Sequence, residues 1–330
     1  MAESTARARG GAEATARILV TGASGFVGRH LVAYLRVKFP AALLLAASRE
    51  GDIAGADAML PLDLRDAPGM VALLREAAPT AVVHLAAQTA VGESFHDPML
   101  SWRINVDGTL ALAQALHAHL PGTLLLHASS AEIYGLNFQP GIALNEQAAM
   151  APANPYAASK AAVDLALGEM ALRGLRLVRL RPFNQIGPGQ LPAFVVPAFA
   201  RQIARIEAGS QEPILHVGAL DRWRDFLDVR DVCAAYAAVL EHASRLPNGI
   251  ALNIASGNPR RIGDILEALL GRARAGIRVE QDAVLLRPTD VAYVAGDATL
   301  ARQWLDWAPR EDWDDALDRV LADWRERVRA

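Results

Sequence analysis

A single cysteine, Cys233, stands in 330 residues, so an intrachain disulfide is impossible and a cysteine-rich metal site is excluded. Its alanine-rich surroundings, Asp231 to Leu240, read as a helix, and the thiol reads as a small core side chain. No HExxH motif or clustered His/Asp pattern takes its place, so no metal is expected. Charge of one sign is scarce as well. The 33 Lys and Arg against 36 Asp and Glu leave a net −3, which gives no electrostatic footprint for nucleic acid or an anionic membrane. An anionic ligand would need locally gathered cations. No apolar run approaches the roughly 18 residues of a membrane span. The first sixteen residues, MAESTARARGGAEATA, are small and polar, and Glu3, Arg7, Arg9 and Glu13 interrupt them. They lack the apolar stretch of a signal peptide and predict a disordered leader over 1–16, with the cytoplasm as the compartment. There is no internal repeat and no low-complexity tract.

What is present is alternation. Arg17–Thr21 (RILVT), Leu43–Ala47, Ala58–Pro61, Ala81–Ala86 (AVVHLA), Thr123–Ser129 (TLLLHAS) and Leu175–Leu180 (LRLVRL) are short apolar runs that read as strands. Between them, Val27–Val37, Met70–Ala77, Leu100–Leu120 and Pro155–Leu172 read as helices. Strands apolar at nearly every position must be covered on both faces, and alternation with helices makes the sheet parallel. The expected fold is α/β, a doubly wound parallel sheet of the Rossmann type over 17–181. After Arg181 proline and glycine become frequent (RPFNQIGPGQLP), which predicts a smaller α/β lobe over 182–330, some of its segments returning to the first domain. In it, helices are expected over 193–207, 229–240, 262–270 and 312–328, with a strand at 214–217. The last helix aligns Trp313, Leu317, Val320, Leu321, Trp324 and Val328 on one face, so its tryptophans read as core.

Gly22-Ala23-Ser24-Gly25-Phe26-Val27-Gly28 follows the first strand and opens a helix. Glycines so spaced permit a tight turn, a close approach of backbone to a pyrophosphate and close helix packing. The helix N-terminus offers free N–H groups and partial positive charge. The second strand then runs into Ser48-Arg49, with the first carboxylate, Glu50, only after the cation. An acidic residue at the strand end would favour NAD. Arg49 favours the 2′-phosphate of NADP(H) instead, with NAD(H) still possible and a solvated loop arginine as the plain alternative. Asp63-Leu64, read from the residues alone, is a helix N-cap.

Tyr156 and Lys160, at i and i+4 after Pro155, share one helix face. Ser130 ends a strand two dozen residues upstream, in HASSAEIYG. A ketone reduction needs a hydride from a nicotinamide and a proton for the developing alkoxide. A phenol is a sluggish acid–base group near neutrality, and a neighbouring ammonium is expected to lower its pKa. Ser130 would hold the carbonyl oxygen for Tyr156.

With these motifs, and with HLAA, NPYAASK and RPFNQIGPGQ, the chain from about Ile18 to Trp307 resembles the extended short-chain dehydrogenase/reductases. RPFNQIGPGQ with RDFLDVRDV looks most like their GDP-4-keto-6-deoxy-D-mannose reductase branch, which makes GDP-6-deoxy-D-mannose (GDP-D-rhamnose). The resemblance implies a cofactor site from Gly22, Ser24, Gly25, Phe26, Val27, Gly28, Ser48, Arg49, Asp63, Leu64, Leu85, Ala86, Ala87, Asn105, Pro182 and Phe183. It implies a catalytic set of Ser130, Tyr156 and Lys160. It also implies a nucleotide-sugar substrate, GDP-linked for preference. Arg224 and Arg287 would clasp its diphosphate, Asp290 would lie near the nucleoside ribose, Asn184 would touch diphosphate or sugar, and Gln88, Thr89 and Ser94 would touch the sugar. A planar guanidinium fork suits phosphate oxygens. Homodimers or higher homo-oligomers through the 100–120 and 155–172 helices are common in the family. One departure is Leu305-Asp306-Trp307-Ala308-Pro309, where the family has glycine second; this touches a turn.

Glu132 keeps a second chemistry open. In the family's sugar-nucleotide 4,6-dehydratases a glutamate here moves protons at C5 and C6. Those enzymes usually carry threonine at the position of Ser130, and the GDP-mannose branch has a different loop from RPFNQIGPGQ. Reduction is therefore the expected reaction, with 4,6-dehydration or C4 epimerisation on a bound cofactor as the alternative. A non-catalytic NADP-binding regulator is a third class, against which the intact Ser130, Tyr156 and Lys160 argue.

Overall fold

The computed structural model describes residues 16–49, 52–286 and 291–329. Residues 1–15 of the expected leader, and the candidates Arg287 and Asp290, lie outside the described residues. In chain order the first part runs β1 (Arg17–Thr21), α1 (Phe26–Lys38), β2 (Leu43–Ser48), β3 (Ala58–Pro61), α2 (Ala67–Ala77), β4 (Ala81–His84), α3 (Val91–His96), α4 (Pro98–Ser101), a π-helical segment (Trp102–Gly108) and α5 (Thr109–His119). Then come β5 (Leu124–Ala128), a 3₁₀ turn (Ala131–Asn137), α6 (Pro155–Leu172) and β6 (Leu177–Pro182). The remainder is β7 (Asn184–Ile186), α7 (Val195–Glu207), β8 (Ile214–Val217), β9 (Trp223–Asp228), α8 (Val229–His242), β10 (Ile250–Ile254), β11 (Pro259–Arg261), α9 (Ile262–Leu270), β12 (Arg278–Gln281), α10 (Thr299–Leu305) and α11 (Trp313–Arg329).

Seven parallel strands form the main sheet in the order β10-β6-β5-β4-β1-β2-β3. Successive side chains leave a strand on opposite faces, and the core divides accordingly. Ile18, Val20, Leu44, Ala46 and Val83 pack with Leu31 and Leu35 of α1 and Val232 and Tyr236 of α8. Leu19, Leu45, Val82 and Leu125 pack on the other face with Met70 and Leu74 of α2, Leu112 and Leu116 of α5 and Val163 and Leu167 of α6. A third cluster joins α7, α9 and α11 through Phe199, Ile203, Leu266, Leu317 and Trp324, outside the main sheet. Cys233 is buried.

Several elements differ from the expectation. The 100–120 segment is not one α-helix: it passes through a π-helical stretch, and Gly108 lies there with no room for a Cβ, which would meet Leu64 Cβ at 2.7 Å. The strand expected over 81–86 ends at His84, because β1 ends at its partner Thr21. Strand β10, from the 182–330 part of the chain, pairs with β6 at the edge of the main sheet, so it is one of the segments that returns there. Asp306 stands in the left-handed region, φ 51°, at the end of α10, a turn where the family's glycine is strain-free and Asp is tolerated. Among the described residues no helix is long and apolar enough to cross a membrane.

Candidate active site

The carboxyl ends of the central strands open into one crevice of about 1780 Å³ that extends to the second lobe. A drug-sized ligand fills roughly 300–1,000 Å³, so there is room for two ligands. Its wall carries Arg29, Arg49, Arg65, Lys160, Arg201, Arg205, Arg222, Arg224 and Arg327 against the carboxylates Asp63, Glu93 and Glu132. A chain of net charge −3 thus gathers its cations where polyanions would sit.

At one end is the glycine turn. Gly22 adopts φ +68°, and a Cβ there would lie 2.7 Å from the Ala86 nitrogen; a Cβ on Gly28 would lie 2.3 Å from the Gly22 oxygen. The backbone is therefore packed as closely as glycine allows. Gly25 caps α1 without any side-chain hydrogen bond, and no acidic side chain occupies the first turn. The free N–H groups of that turn suit an anion. Ser24, Phe26, Val27, Ser48, Arg49, Leu64, Leu85, Ala86 and Ala87 continue the wall. Asp63 also lines it, with its carboxylate gripped by the backbone and guanidinium of Arg65 at 2.6–3.1 Å, which holds its pKa down to about 2. The cap of α2 is Asp66 rather than Asp63. This end fits a nicotinamide dinucleotide, which when bound would supply or accept a hydride.

At the centre stand Ser130, Glu132, Tyr156 and Lys160, all on the crevice wall. Asn154 caps α6, its Oδ1 accepting from Ala157 N at 2.8 Å while its Nδ2 donates to Glu132 Oε2 at 3.2 Å. One side chain thereby ties the helix of Tyr156 to the turn of Ser130. The Ser130 hydroxyl oxygen accepts from Glu132 N at 3.2 Å. Burial pushes the Tyr156 phenol up to about 12; a hydrogen bond with Ser130 opposes this and the charge of Glu132 adds to it. The expected lowering by Lys160 is not seen in the free protein, because desolvation dominates and the ammonium is directed to the Ala128 carbonyl at 2.5 Å. Burial pulls Lys160 itself down to about 8, with Asp164 opposing. Behind it His84 bridges Thr21 and Thr109 (2.7 and 2.9 Å), and burial with the nearby Lys160 lowers its pKa to about 3, so it is neutral.

Gln88, Thr89, Pro182, Phe183, Asn184 and Arg224 lie on the wall as well. Two candidates do not. Ser94 is fully buried inside α3 and its hydroxyl donates to the Val91 carbonyl at 2.7 Å, so it has no access to a sugar. Asn105 lies behind the wall, where Oδ1 accepts from Gln88 N (2.8 Å) and Nδ2 donates to Gln88 O and Ser159 Oγ (3.1 and 3.0 Å). It shapes the loop after β4 from the π-helical segment. Sequence reasoning missed Asn154, the arginines of α7 and α11, and Gln185 and Gln190. The last two sit in RPFNQIGPGQ, a motif noticed but assigned only at Pro182, Phe183 and Asn184.

The profile of the family described as GDP-mannose 4,6 dehydratase matches residues 19–320. The chain belongs to the extended short-chain dehydrogenase/reductases. It is 38% identical over 96% of its length to the GDP-6-deoxy-D-mannose reductase of Pseudomonas aeruginosa, covering 99% of that protein. It is 29% identical to the GDP-6-deoxy-D-talose 4-dehydrogenase of Aggregatibacter actinomycetemcomitans, over 85% of this chain and 88% of that one. The structure of RMD from Pseudomonas aeruginosa complexed with NADPH superimposes with a TM-score of 0.82 at 36% identity, over 95% of this chain and 100% of that one. This extended short-chain dehydrogenase/reductase is a nucleotide-sugar-modifying, NAD(P)-dependent enzyme.

Proposed function

We propose that the enzyme reduces the 4-keto group of a GDP-4-keto-6-deoxy-hexose to GDP-6-deoxy-D-mannose, with NADPH as reductant. The observation that carries the reading is the 38% identity, across nearly the whole of both chains, to a GDP-6-deoxy-D-mannose reductase. The site supports it. Tyr156, with its phenol held near 12, is protonated at neutrality, which is the form needed to hand a proton to a developing alkoxide. Ser130 shares a hydrogen bond with it and would hold the carbonyl oxygen, and Lys160, on the same crevice wall, would keep positive charge near the oxygen as it forms. Arg49 at the strand end suits a 2′-phosphate, and Arg224 suits a diphosphate. A homodimer through α6 fits Leu165 and Leu172, which are exposed on that helix; light scattering in solution tests it.

The second reading, 4,6-dehydration, is favoured by one observation: Glu132 is on the crevice wall, held by Asn154. The two separate in one assay. A reductase leaves GDP-mannose unchanged. If GDP-mannose yields a ketosugar with no NADPH added, the dehydratase reading replaces the reductase one.

A further inference from the structure

Two arginines stand one turn apart on α7 with no carboxylate paired to either among the described residues. Arg201 and Arg205 are i and i+4 on that helix, so their side chains leave one face about 5–6 Å apart. Arg201 is exposed, and among the described residues it has no hydrogen bond or ion pair. Arg205 Nη2 donates to the Ser210 carbonyl at 3.3 Å. A third guanidinium comes from α11. Arg327 lies over the Trp324 ring, its Cζ 3.9 Å from the centroid, and its Nη1 donates to the Gln190 carbonyl at 3.2 Å and to Asp323 Oδ2 at 3.3 Å.

The three line one pocket of about 470 Å³, whose wall is completed by Ser210, Trp324 and Val328. They also line the main crevice, so the two adjoin there. No carboxylate is among the described residues of the pocket wall. Like charges at i and i+4 on a helix repel, and here a third cation joins them. The carboxylate beside Arg327, Asp323, is shared with the Gly189 N–H at 2.9 Å. A cleft lined by charge of one sign concentrates ions of the other, and guanidinium forks match phosphate oxygens. Trp324 is covered by Arg327 and only 6% exposed, so it offers no face on which a base could stack. The phosphate group itself is what this wall can read. Arg224, which suits the substrate diphosphate, lines the main crevice and not this pocket.

We propose that Arg201, Arg205 and Arg327 form a second anion site, separate from the substrate diphosphate, that takes a phosphate or pyrophosphate group.

The test is calorimetric titration of inorganic pyrophosphate into the full chain saturated with NADPH. Pyrophosphate also suits the substrate position, so two variants separate the sites. The Arg224→Gln chain still binds one equivalent. In the double variant Arg201→Gln, Arg205→Gln the affinity of that equivalent falls at least tenfold, as for lost hydrogen bonds to a charged group. The reverse pattern, with binding lost in Arg224→Gln and kept in the double variant, would assign pyrophosphate to the substrate position and overturn the proposal. So would the absence of binding to both. If Arg224→Gln does not melt like the wild type, stoichiometry decides instead with GDP present at saturation: the wild type must bind one pyrophosphate more than the double variant, and equal numbers would overturn the site. GDP titrated alone into the wild type tells the source of the phosphate. One equivalent means that the second site takes the free anion; two equivalents, one of them lost in the double variant, mean that it accepts the diphosphate of a nucleotide. Either result upholds the site.

Discussion

Replacing Asp164 by Asn tests whether the catalytic helix is clamped by buried charge. Asp164 is fully buried on α6, two turns beyond Tyr156. It accepts from Arg179 Nη1 at 2.8 Å and from Arg181 Nη2 and Nε at 2.8 and 3.1 Å. Arg181, on β6, also donates to the Tyr134 hydroxyl at 2.9 Å and the Glu146 carbonyl at 3.0 Å, and Tyr134 donates to Asn253 Oδ1 at 2.7 Å. The network binds α6, β6, β10 and the turn that carries Glu132. Asp164→Asn leaves buried guanidiniums without a counter-charge, at a cost of about 3–5 kcal/mol. For a chain of this length that is a fall in Tm of roughly 4–7 °C. Burial raises the Asp164 pKa, but the hydrogen bonds and charge of Arg181, aided by Arg179, outweigh it and leave the pKa below the ordinary 3.8. The stabilisation is therefore full above that ordinary value and is lost as pH falls through the depressed one. Thermal unfolding at pH 7 and at pH 3 gives both numbers. A variant melting within 2 °C of wild type at pH 7 would refute the clamp.

Three further outcomes follow from the site. In the free enzyme Lys160 loses its proton near 8 while Tyr156 keeps its proton to about 12, so kcat/KM for ketone reduction should fall as pH rises past ~8; a flat profile to pH 10 would count against a role for the ammonium. Gly28→Ala sets a Cβ 2.3 Å from a backbone oxygen and should cost about 1–3 kcal/mol by overpacking, with NADPH binding weakened in a fluorescence titration. Arg49→Ala should raise the KM for NADPH about tenfold, the order of one phosphate contact, and leave the KM for NADH unchanged.

The main sheet was legible because its strands are apolar on both faces, and Arg17–Thr21, Ala58–Pro61 and the helix Pro155–Leu172 fall where periodicity places them. Strands β9 and β11 escaped notice because Arg and Asp sit within Trp223–Asp228 and two arginines within Pro259–Arg261. Strand β10 is apolar but short, and only tertiary pairing with β6 gives it a place. The glycine turn and the Tyr156–Lys160 pair carry their geometry in their spacing. Ser94 was misread because a serine following a strand resembles a ligand contact until α3 turns its hydroxyl onto Val91. Asn154 reaches Glu132 across 22 residues, which no local pattern records.

The central claim is that Tyr156 protonates the carbonyl oxygen of a nucleotide-linked ketosugar, and Tyr156→Phe tests it most directly. NADPH oxidation would be followed with GDP-4-keto-6-deoxy-D-mannose, alongside a titration of NADPH binding. The account predicts turnover lower by about 10²–10⁴-fold with NADPH affinity retained. Turnover within tenfold of wild type would contradict it.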